Sequence, residues 1–183
     1  MLRYVLVLFL ILSVESIAHS QPEDEVDDAL AHAETLYYEA AFKESIQLLL
    51  RVDDVLHAKA GRLKEKTNVK LHLALAHIGL NENSEAKSFL LELYALDADY
   101  RLDPQQFPAK ILALAEEAQA EQNEIRCRKV SEEAHRQLES RNVAALVSLT
   151  VSAQSNCPDL DVLRPDAAEL LYQSGVDLYR RGE

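Results

Sequence analysis

The chain has 183 residues and a formal net charge of −12, from 19 basic and 31 acidic side chains. A charge of that sign repels phosphate backbones, which argues against nucleic-acid binding. Four glycines and five prolines, with no run that alternates apolar and polar residues, suit a mostly helical single domain.

The first twenty residues read as an export signal. Arg3 precedes an apolar run from Val5 to Val14, and the small residues Ser16, Ala18 and Ser20 lead into the polar Gln21-Pro22. The run is too short for a comfortable membrane span, and the small residues allow cleavage after Ser20 or Ala18. No cysteine follows it, so a lipid anchor is not expected. Removing residues 1–20 takes away Arg3 and Glu15 and leaves the net charge unchanged. Contact with a membrane is then expected only through the signal, before it is cut. The competing possibility is an uncleaved anchor on an assembly subunit.

About seven helices are expected after the signal. The first runs from the acidic segment after Gln21 to about Ala40, and the second from Phe42 to about Ala60, before Gly61 breaks the pattern. Leu63 begins the next. From Leu71 to Leu96, Leu71, Leu75 and Ile78, then Ala86, Phe89, Leu90 and Leu93, keep the three-to-four spacing of helices with one buried face. Gly79 and the Asn81–Ser84 run between them predict a tight turn. A shift of 41 residues superposes Leu30 on Leu71, Ala33 on Ala74, Tyr37 on Ile78, Ser45 on Ala86, Leu49 on Leu90 and Val52 on Leu93. The hairpin is therefore present twice within residues 21–96.

This pattern of small and large residues resembles the tetratricopeptide repeat, an αα-hairpin that stacks into a solenoid. The stretch from Leu171 to Gly182 is similar to the first helix of a further repeat and its turn glycine. The chain departs from the family in its longer period, in Asn83 where the first copy has Phe42, and in Lys70 at a position usually apolar. A generic helical bundle is the alternative fold.

Residues 97–108, with Pro104 and Pro108, form a connector that a continuous helix cannot cross. The C-terminal region, residues 109–183, opens with a stretch free of Gly and Pro up to Ser140, which fits either one long helix or two meeting near Glu121–Glu124. Asn142 opens the next helix, and Pro165 is expected in the first turn of the last one. Cys127 and Cys157 lie nearly equidistant from Arg141-Asn142, so an antiparallel hairpin brings them together. In an oxidising compartment such a pair forms a disulfide.

Signs of catalysis are weak. Glu132 with His135 and Asp54 with His57 sit one helical turn apart but lack the further ligands of a carboxylate-bridged metal site. His72 and His77 point to different faces, and no HExxH, phosphate-binding glycine loop or GxSxG elbow occurs. No cofactor and no metal are expected, and a helical-bundle enzyme or metal protein is the alternative. The resemblance implies a non-catalytic module that binds a protein or peptide, in the periplasm of a Gram-negative cell or secreted. Its first helices would line the binding face, which makes Leu30, Glu34, Tyr37, Tyr38, Leu71, Leu75 and Ile78 the expected contacts.

Overall fold

Seven helices, packed mainly against their chain neighbours, make up the structure, a computed structural model that describes residues 22–152 and 157–182. The expected export signal lies outside the described residues. The helices are α1 (Pro22–Tyr38), α2 (Phe42–His57), α3 (Leu63–Gly79), α4 (Asn83–Leu96), α5 (Ala109–Glu139), α6 (Val143–Ser152) and α7 (Pro158–Arg181). Among the described residues there is no strand, and no helix is long and apolar enough to cross a membrane.

The same three-residue turn closes α1–α2, α3–α4 and α5–α6. Its middle residue is left-handed each time: Ala40 (φ 59°), Asn81 (φ 61°) and Arg141 (φ 55°). Each of these donates its N–H to the carbonyl three residues back, and the next residue donates to the carbonyl five back. These bonds satisfy the free carbonyls at the helix end and send the chain back antiparallel. Seven residues before the left-handed position stands a buried alanine in every hairpin: Ala33, Ala74 and Ala134. Five residues after it come Ser45, Ala86 and Leu146, all buried. The third hairpin is thus in register with the first two, which the sequence reading had not recognised.

Three apolar clusters form the core. Val26, Leu30, Leu49, Val52, Val69 and Leu73 join α1 and α2 to α3. Leu71, Leu75, Leu90 and Leu93 join α3 and α4 to Ile111, Ala115 and Ala118 of α5. Each leucine so buried contributes about 1.5–3 kcal/mol. The connector packs back on this second cluster through Tyr100, Leu102 and Phe107. Ser45, the one polar residue among these inner positions of the first hairpin, is satisfied by donating from Oγ to the Ala33 carbonyl at 2.8 Å.

Helix α5 is single and 31 residues long, about 45 Å at 1.5 Å per residue. Its first half belongs to the second cluster, and its second half forms a third with Leu146, Leu163 and Leu170. The Glu121–Glu124 patch lies where the helix passes from one cluster to the other, so no break is needed there.

Two local expectations are corrected. Helix α7 starts at Pro158 rather than near Pro165, and Pro165 lies inside it. Pro165 is exposed, and the carbonyl of Asp161 that loses its partner belongs to an exposed residue and can bind water. Gly79 does not end its helix by its own conformation, because Asn81 supplies the left-handed residue. Its role is space: a Cβ there would stand 2.6 Å from Cζ of Phe42. Alanine at an open helical site adds about 1 kcal/mol of stability over glycine. Overpacking costs about 1–3 kcal/mol, so Gly79→Ala is expected to lower the melting temperature, and Phe42→Leu should remove that loss. A raised melting temperature in the single variant would mean that the ring simply swings aside.

Candidate functional site

The face shared by α1 and α3 gathers the polar and aromatic residues that sequence assigned to binding. Glu34 projects from α1, about one turn before its C-terminal end, toward α3, where its Oε1 accepts a hydrogen bond from Asn68 Nδ2 at 3.3 Å and lies 3.5 Å from His72 Nε2. Helical spacing sets Asn68 and His72 one turn apart, and His72 Nδ1 donates to the Asn68 carbonyl at 3.0 Å. The Tyr37 ring stands edge-on to His72, with centroids 6.4 Å apart, and also packs on Phe42. Burial, and then the neighbouring Tyr38, raise the Tyr37 hydroxyl above its ordinary pKa, so it remains a neutral hydrogen-bonding group. Tyr38 is 80% exposed and stands edge-on to Tyr37.

The seven expected contacts therefore divide. Glu34, Tyr37 and Tyr38 come together on one surface. Leu30, Leu71 and Leu75 do not reach it as anchors, because they are buried in the clusters between helices. Ile78 is half-buried against the second cluster. A periodic apolar stripe identifies the inward side of a helix but not which of its residues an adjoining helix will cover. Asn68 and His72 were missed as members of this surface; their position one turn apart and 34 and 38 residues beyond Glu34 was the only hint.

Lys70, a departure from the expected repeat pattern, faces the α2–α4 side instead. Its ammonium bonds Asp53 of α2 at 2.7 Å and Glu92 of α4 at 2.5 Å, and lies 5.7 Å from the Phe89 ring centre. Burial pulls its pKa down, but the hydrogen bonds and charges of Asp53 and Glu92 more than offset this and hold it above the ordinary lysine value. The lysine is a clamp between two hairpins at the edge of a cleft of about 390 Å³. Its stem fills the place of the usual apolar side chain while its charge stays paired.

Cys127 and Cys157 form a disulfide, with Cα atoms 5.2 Å apart. The pairing is as expected, and Cys157 sits beyond α6, at the N-cap of α7. The bond ties the start of the last helix back to the middle of α5. Glu132, His135, Asp54 and His57 are exposed, and among the described residues no three His, Cys, Asp or Glu side chains converge as metal ligands would.

Comparison of the chain with protein-family models, with curated proteins and with solved structures returns no match.

Proposed function

We propose that this chain is an exported, non-catalytic protein-interaction module built from tetratricopeptide-like hairpins. The observation that supports it most is the turn register: three hairpins share one left-handed position, one hydrogen-bond pattern and one buried alanine. In a stacked array of such hairpins the first helices line the inner side, and here that side presents Tyr38 beside the Glu34–Asn68–His72 cluster. A tyrosine pair with a carboxylate suits an extended or helical segment with apolar and basic residues. Location in the periplasm or outside the cell fits the disulfide, which persists where conditions are oxidising.

The test uses crosslinking capture from the native cell envelope with wild-type protein, Tyr38→Ala and Glu34→Lys. Both variants should lose the captured partner while their melting temperatures shift little, since Tyr38 is exposed and Glu34 partly so. Loss of stability with capture retained would place these residues in the fold's support and the binding face elsewhere.

A further inference from the structure

The left-handed turn positions repeat at a second interval. A shift of 101 residues carries Ala40 onto Arg141, just beyond α5, and Asn81 onto Gly182 (φ 76°), just beyond α7. Helices α5 and α7 therefore end in the register of α1 and α3. The same shift carries Glu34, Tyr37 and Tyr38 onto His135, Leu138 and Glu139, and Asn68 and His72 onto Glu169 and Gln173. All five counterparts line one cleft of about 380 Å³ between α5 and α7. The face between α1 and α3 thus has an equivalent, walled on both sides by helices.

The two faces differ in chemistry. At the first, the carboxylate of Glu34 is already engaged by Asn68 and lies beside His72. At the second, Glu139 belongs to the α5 wall, and Asp166 and Glu169 to the α7 wall. The side chains of Glu139 and Asp166 make no hydrogen bond or ion pair among the described residues. Arg141, at the edge of the cleft, donates to the Gln173 amide oxygen at 2.8 Å, and Gln173 donates to Glu169 at 2.7 Å. Its guanidinium is held by an amide, so the cleft keeps its acidic character. Leu138 and Leu170 supply an apolar lining and pack in the third cluster. The Cys127–Cys157 bond ties α7 back to α5 and so fixes the two walls relative to each other.

We propose that this cleft is a second binding station, which takes an arginine side chain of a protein partner. The proposal rests on reading the chain as a protein-binding module. Charge and shape select the occupant. Three carboxylates repel an anion, and two leucines suit the apolar stem of a long cationic side chain. A planar guanidinium presents donors along more than one edge, so it can reach carboxylates on facing walls, which the point charge of lysine does less well. The basic residue of the partner is then read here rather than at Glu34, whose oxygen is already occupied.

NMR titration of the purified, oxidised protein with the peptide acetyl-Leu-Arg-Leu-amide, at constant ionic strength, tests this. Amides of residues 135–141 and 166–173 should shift and saturate. The same peptide with citrulline, the uncharged isostere, should bind at least about fivefold more weakly, the equivalent of one ion pair of 1 kcal/mol. Asp166→Asn combined with Glu169→Gln should weaken the arginine peptide to the citrulline level with unchanged circular dichroism, because both side chains are exposed. Glu34→Lys should bind it as the wild type does. In capture from the cell envelope, the double variant should lose the partner as well. Absence of saturable shifts at the cleft, equal binding of the two peptides, or undiminished capture by the double variant overturns the proposal. Capture lost in the double variant but kept in Tyr38→Ala and Glu34→Lys would overturn the role of the α1–α3 face instead and leave this cleft as the partner's site.

Discussion

Replacing both Cys127 and Cys157 by serine is expected to cost about 3–4 kcal/mol, the chain-entropy value for a closed loop of about thirty residues. The site has little else to compensate. The third cluster rests on Ala134, Leu146, Leu163 and Leu170, where the first two clusters hold at least twice as many buried side chains. The loss should therefore be local. Amide exchange should speed up in α6 and α7, while α1 to α4 keep their protection. Intact mass of the oxidised wild type should be two hydrogens below that of the reduced chain. Equal protection of α7 with and without the bond would show that apolar packing alone holds it.

Leu73→Ala is expected to destabilise the N-terminal half by about 2–5 kcal/mol, the range for a fully enclosed leucine. Leu73 sits on α3 yet belongs to the cluster built by α1 and α2, so its side chain joins the first hairpin to the second. Its removal opens a cavity at that junction. In an array where each hairpin leans on its neighbours, a weak junction also reduces cooperativity. Chemical denaturation should show a lower midpoint and a broader transition. Leu63→Ala, at an exposed site on the same helix, should change stability by only about 0.5 kcal/mol. Comparable losses from the two substitutions would contradict the assigned packing.

Local physics made the first two hairpins legible in the sequence. A helix of 3.6 residues per turn that must bury one side repeats its apolar residues at three and four. Where two helices approach closely, only small side chains such as Ala33, Ala74 and Ala86 fit, so the 41-residue offset could be read directly. The Cys127–Cys157 pair was legible for a similar reason, since distance along the chain from a turn approximates distance across a hairpin.

The third hairpin was hidden because Ser131 stands where the others have leucine, and Leu146 where they have Ser45 and Ala86. Its identity lies in the backbone bonds around Arg141, which composition does not record. The unity of α5 was also a tertiary matter: its polar middle is stable as helix because clusters on either side hold both halves. The same reason divides the candidate site. Leu30, Leu71 and Leu75 share the helical stripes that run beside Glu34 and Tyr38, and one-dimensional spacing treats them alike. The approach of α3 to α1 and α2, and of α5 to α3 and α4, buries the leucines, leaves Tyr38 in solvent, and brings Asn68 and His72 to Glu34. Periodicity determines which side of a helix turns inward; only the neighbouring helix decides how much of that side it covers.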